Sequence, residues 1–178
     1  GSGKTFASRW IADRARRKGF ATSELQISET ETPLHHLQTV YRRVIERLSV
    51  GDGEVGALRS VVDGWFYVLE EDVLAGGTVS EDDAAALTEA TNVLMEQRLG
   101  DVVRTAPAFG AVLRAYRTAT HAGDRAAADG LLAWLGGQPN VAASVKRAAG
   151  VKGEIDHAGA LSFLQGLLRI LRDSGQPL

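Results

Sequence analysis

The residues best suited to chemistry are the first five, Gly1-Ser2-Gly3-Lys4-Thr5. They match the back half of the pattern G-x-x-x-x-G-K-[ST], a loop that binds phosphate. Glycines let backbone N–H groups turn inward and form an anion nest. A helix that follows adds the partial positive charge and unpaired donors of its amino end. Lys4 is expected to reach the β- and γ-phosphates as a point charge, and the Thr5 hydroxyl to ligate Mg²⁺. The expected ligands are therefore a nucleoside triphosphate and Mg²⁺, held by Gly1, Ser2, Gly3, Lys4 and Thr5, with Thr5 as the metal ligand. The first glycine of the pattern and the strand before it are missing, so the chain reads as a piece cut within the loop. Gly-Ser at an amino terminus also arises as a cloning remnant, which would leave only Gly3-Lys4-Thr5.

The next elements favour the loop. Phe6, Trp10 and Ile11 recur at helical spacing with Ala7 and Ala15 beside them, while Arg9, Asp13, Arg14 and Arg17 populate the other side. Lys18-Gly19 supplies a cation and a stop. Residues 20–27 read as a short strand in which Leu25 and Ile27 alternate. Loop, helix, strand is the order that a triphosphate-binding fold needs.

Downstream the pattern is almost entirely helical. Thr32-Pro33 reads as a helix start, with a stripe of Leu34, Leu37, Tyr41, Val44, Ile45 and Leu48. Gly51-Asp52-Gly53 breaks it. A second helix runs from about Ala57 to Ala75, with Val61, Val62, Trp65, Phe66 and Leu69 on its buried side. Ser80 reads as the cap of a third, which runs to about Leu99. Pro107 opens a helix carrying Phe109, Val112, Leu113 and Tyr116. His121-Ala122-Gly123-Asp124 turns it, and residues 126–135 return as a hairpin. Asn140 reads as the cap of a short helix. Asp156 caps the last one, in which Leu161, Leu164, Leu167, Leu168 and Leu171 are expected to be buried, flanked by Phe163 and Ile170.

Several features are decoys. Phe66-Tyr67-Val68-Leu69-Glu70-Glu71 imitates the apolar strand ending in acids that holds Mg²⁺ in ATPases. Periodicity of 3.6 on both sides makes it a helix, with Glu70 and Glu71 on a solvated face. The four histidines lack convergent partners at metal-ligand spacing. Arg14, Arg16, Arg17 and Lys18 lack interleaved aromatics and read as a helix end. The net charge of −2 leaves no global basic field, and zero cysteines exclude disulfides and thiol chemistry. No apolar run is long enough to span a bilayer, and the charged amino end is no signal peptide. A cytoplasmic protein is expected.

Taken together, Gly3-Lys4-Thr5 with its helix, Leu25-Gln26-Ile27-Ser28, and the stretch from Pro33 to Arg42 with its apolar helix resemble the P-loop ATP-binding proteins of BREX phage-defence systems. Val151-Lys152-Gly153-Glu154-Ile155-Asp156, the Leu-rich helix and Ser174-Gly175 resemble the segment leading into that family's Walker B strand. The resemblance is carried by the two ends, and residues 51–150 match it loosely. It implies an AAA+-related ATPase acting with other defence-system proteins, or with copies of itself, in a system that restricts phage DNA. Any DNA contact by this chain stays open. Gly1, Gly3, Lys4 and Thr5 carry over as Walker A residues. The first P-loop glycine and the Walker B acid have no position in this sequence.

The expected fold class is a mostly α fragment of an α/β P-loop NTPase with about one short strand. Residues 1–50 would start the nucleotide-binding core, 51–150 form a helical insertion, and 151–178 lead back to the core. Two other readings remain open from the residues: a P-loop kinase or other phosphotransferase, and a helical interaction module without enzymatic activity.

Overall fold

The computed structural model describes residues 3–51 and 55–177. Among them the chain forms nine helices and two short strands: α1 (Lys4–Arg17), β1 (Ala21–Ser23), α2 (Leu37–Glu46), β2 (Leu48–Val50), α3 (Leu58–Ala75), α4 (Ala84–Leu99), α5 (Asp101–Thr105), α6 (Pro107–His121), α7 (Arg125–Leu135), α8 (Ala143–Ala148) and α9 (His157–Asp173). The chain is mostly helical, as its periodicity requires.

The core is organised around α9, which packs on α2, α3, α4 and α5. Phe163 is its centre. Its ring meets Tyr41, Phe109 and Trp134 edge-on, with centroids 6.2, 5.1 and 5.7 Å away. Such edge-to-face contacts stabilise beyond area burial alone. The buried face of α9 is Ala160, Phe163, Gly166, Leu167, Ile170 and Leu171. Leu161 and Leu168, expected inside, are 53% and 42% exposed. The face is rotated because Ala160 and Gly166 let neighbours approach closely. A Cβ on Gly166 would lie 2.6 Å from the Phe109 ring.

α6 and α7 form the expected antiparallel hairpin, turned at Gly123 with φ +71°. The Asp124 carboxylate caps α7 by accepting from Ala127 N–H. Asp156 likewise caps α9 through Gly159 N–H at 2.7 Å.

Other boundaries shift. Thr32 does not cap a helix. Its N–H donates to Ser28 O within a tight turn, Thr32 is buried, and α2 begins four residues after Pro33. α4 is capped by Asp83, which accepts from Ala86 N–H, three residues after the expected Ser80. Asn140 adopts φ +62° and its N–H donates to Glu154, so α8 starts only at Ala143.

Two strands replace the expected one. β1 and β2 pair antiparallel, with Ala21 opposite Val50, Thr22 opposite Ser49 and Ser23 opposite Leu48. Only three residues of the expected strand over 20–27 are paired, because β2 offers no more, and Ile27 is 50% exposed. Leu48, expected on the helix, is buried in β2, and its carbonyl accepts from Gly56 and Ala57. The parallel sheet of a P-loop core does not occur among the described residues. The apolar side of α1 is also uncovered, with Phe6, Trp10 and Ile11 all exposed.

Candidate functional site

α1 begins at the motif. Gly3 precedes its first turn with φ −59° and ψ 2°, and its carbonyl accepts from Ala7 N–H at 2.9 Å. Apart from its chain neighbours and the helix's own backbone, no described residue has an atom within 4 Å of where a Cβ on Gly3 would be. Among the described residues no side chain caps the helix. The N–H groups of Lys4, Thr5 and Phe6 have no acceptor among the described residues. The start of a helix presents positive potential to an anion. Lys4 and Thr5 occupy the first turn and are exposed. Gly1 and Ser2, the other expected loop residues, lie outside the described residues.

Thr5 opens onto a cleft of about 670 Å³ between α1, the segment after β1, and α2. Ser8 lines it and donates to Glu24 Oε1 at 3.2 Å or to Thr5 O at 3.1 Å. Arg9 and Arg16 of α1, and Arg43 and Arg47 at the end of α2, line it. Arg43 donates to Glu46 at 2.9 Å. Burial would push the Glu46 carboxyl up, but hydrogen bonds from Gln138 and Arg43 and the charges of Arg43 and Arg42 hold it below the ordinary value.

No group of three or more His, Cys, Asp or Glu side chains among the described residues could hold a metal ion. For a hard cation such as Mg²⁺, the donors beside the motif are the Thr5 hydroxyl and, in the same cleft, the Glu24 carboxylate. That set suits an ion that keeps several waters and takes its remaining ligands from phosphate oxygens.

The sequence profile of one family, described as BREX system ATP-binding protein BrxC/D, matches residues 1–177. The chain belongs to this family. No curated protein and no solved structure matches it.

Membership in the BREX ATP-binding family makes this an ATP-binding component of a phage-defence system. The match covers the helical middle, residues 51–150, as well as the two ends whose motifs resemble the family. No helix among the described residues is long and apolar enough to cross a membrane.

Within this BREX family member the decoys resolve plainly. The run 66–71 lies inside α3. Glu71 is exposed, but Glu70 is not simply solvated: it accepts from Nε and Nη2 of buried Arg117, at 3.1 and 2.7 Å. His121 lies 3.7 Å from the same carboxylate. The rings of His35 and His36 touch at a tilt of 44° just before α2, and His157 is the first residue of α9.

The basic run near the end of α1 disperses. Arg17 pairs with Asp13 at 2.6 Å and Arg14 lies over the Trp10 ring at 5.6 Å, while Arg16 turns to the cleft. Sequence reading did not group Arg9, Arg16, Arg43 and Arg47. The available signal was their spacing of seven on α1 and four across the end of α2, which places each pair on one side of its element.

Proposed function

We propose that the chain holds the Walker A half of an ATP site and that its parent protein is an AAA+-related ATPase, a nucleotide-driven switch or motor of the BREX system. Gly1, Ser2 and Gly3 would wrap the phosphates with backbone N–H groups. Lys4 would neutralise the β- and γ-phosphates, and Thr5 would ligate the Mg²⁺ that arrives with the nucleotide. Mg²⁺ would supply charge neutralisation between the phosphate oxygens. The chain's own work is to grip and orient the triphosphate.

The observation that carries this reading is Gly3-Lys4-Thr5 at the start of a 14-residue helix, in a member of an ATP-binding family. In this reading residues 1–50 belong to the nucleotide-binding core, 51–150 form a helical insertion that meets partner proteins of the defence system, and 151–178 return to the core. The protein would act in the cytoplasm. Nucleotide would drive it by binding two arrangements of the insertion with different affinity.

Titration of the chain with a fluorescent ATP analogue and Mg²⁺ tests the grip. Saturable binding that Lys4→Ala abolishes, with an unchanged circular dichroism spectrum, is the expected result. Unchanged affinity in Lys4→Ala would remove Lys4 from the mechanism.

A further inference from the structure

We propose that the cleft between α1 and α2 binds the sugar–phosphate backbone of nucleic acid. Four guanidinium groups from two separate elements line it: Arg9, Arg16, Arg43 and Arg47. Arg9, Arg16 and Arg47 have no ion-pair or hydrogen-bond partner among the described residues, and only Arg43 is engaged, with Glu46. Elsewhere the arginines are of both kinds, and Arg125, Arg147 and Arg172 also have no carboxylate partner among the described residues. Arg17, Arg59, Arg98, Arg104, Arg114 and Arg117 each face a carboxylate. Unmatched like charges gathered in a concave site focus a positive potential and repel one another until an anion enters.

Their arrangement indicates the shape of that anion. Arg9 and Arg16 are separated by about 10 Å of helical rise, and Arg43 and Arg47 by about 6 Å, at 1.5 Å per residue. The positions that carry the charges are thus spread along both elements instead of gathered on one turn. A single phosphate is best served by convergence, whereas a chain of phosphodiesters is served by spacing. Among the described residues the cleft lining contains no aromatic side chain, so these offer no platform for stacking bases. Binding is therefore to the backbone and indifferent to sequence. Glu24 and Glu31 also line the cleft and oppose the four arginines. They limit the affinity and exclude acidic ligands that cannot bridge several guanidinium groups.

Fluorescence anisotropy of labelled oligothymidine over a salt series, without added ATP, tests the assignment. The wild-type chain is expected to bind with a slope of log K against log salt near −2 to −3, from about −0.7 per phosphate neutralised. Arg9→Ala/Arg16→Ala and Arg43→Ala/Arg47→Ala should each flatten that slope by about 1.4. The corresponding Lys double variants should keep it, and Glu24→Gln/Glu31→Gln should tighten binding. Arg104→Ala, on α5 and paired with Asp101, serves as the control and should change nothing. Thermal melts report whether each variant is folded.

Absence of salt-dependent binding, or a wild-type slope in both arginine double variants, would overturn the proposal. So would polyglutamate binding as tightly as the oligonucleotide, which marks a protein partner. Loss of Mg·ATP binding in the arginine variants, with oligonucleotide binding intact, would reassign the cleft to the triphosphate. Because the oligonucleotide titration contains no ATP, its outcome stands whatever Lys4 does.

Discussion

Trp65 and Asp173 are 108 residues apart and share one hydrogen bond, from the indole Nε1–H to Oδ2 at 2.6 Å. The other oxygen of Asp173 accepts from Arg98, which also donates to Asp72 at 2.7 Å. One carboxylate thus joins α3, α4 and the last turn of α9. The hydrogen bond to Asp173 raises the pKa of Arg98, against the opposing effect of burial, and Asp72 adds to the rise.

Removing that carboxylate should cost more than one hydrogen bond. Trp65 is 1% exposed, so Asp173→Ala leaves its N–H without a partner in a dry environment. A loss of about 2–3 kcal/mol is expected, at the upper end for an orphaned buried donor. Asp173→Asn keeps an acceptor and should cost less. Urea denaturation of the two variants checks the order, and equal midpoints would contradict it.

Two glycines in helices should respond in opposite senses. Gly166→Ala gains about 1 kcal/mol of helix propensity. However, it drives a methyl to within 2.6 Å of the Phe109 ring, which is 1% exposed and pinned against Phe163. Overpacking of about 1–3 kcal/mol outweighs the gain, and net destabilisation is expected. Gly64, in α3, is exposed, and no atom lies within 4 Å of where its added methyl would sit. Gly64→Ala should stabilise by about 0.5–1 kcal/mol. Melting temperatures moving in the same direction would refute the packing argument.

Alkaline stability should depend on Tyr116. Its hydroxyl donates to Asp63 at 2.6 Å and accepts from Arg59 at 3.1 Å. Burial, then the Asp63 carboxylate, pushes the phenol up to about 12 from an ordinary 10.0. The fold therefore favours the neutral phenol. That contribution is fully present below pH 10 and is lost as pH rises toward 12. Tyr116→Phe should be less stable at neutral pH, since Asp63 loses a donor, yet flatter across the alkaline window. Burial raises Tyr41 further still, and that part of the slope stays in the variant. Urea midpoints measured across the window provide the check.

Arg117 is 3% exposed, bonded to Glu70 and to Thr88 O, and lies over the Phe66 ring at 5.7 Å. Glu70→Ala would leave this guanidinium buried without its counter-charge, at a cost of about 2–3 kcal/mol given the partial exposure of Glu70. The double change Glu70→Ala/Arg117→Met should cost less than the sum of its singles. Additive losses in a double-mutant cycle would show that the pair is not coupled.

Helices α3, α6 and α7 were legible because apolar residues recur every 3.6 positions between Gly, Pro and Asp punctuation. The phase of α9 was not. Hydrophobicity favours Leu161 and Leu168 for the interior, whereas close packing selects Ala160 and Gly166, a preference visible only once Phe109 is in place. β2 was hidden because Leu48 continues the apolar stripe of α2. In the candidate site, Lys4 and Thr5 were readable as a motif at a helix start. The four cleft arginines were not, because Arg16 and Arg43 come together only through the folding of the segment between them.

The bond from Tyr41 to Leu135 O, at 2.7 Å, closes a span of 94 residues. By contrast, α6 and α7 meet across a turn of three residues. The length-dependent part of the chain entropy is about 4 kcal/mol for the long closure and about 1 kcal/mol for the turn. The hairpin is thus the natural early nucleus, and docking of α2 against α7 and α9 the late, slow step. Mutations in the hairpin should slow refolding, while loss of the Tyr41 hydroxyl should mainly hasten unfolding.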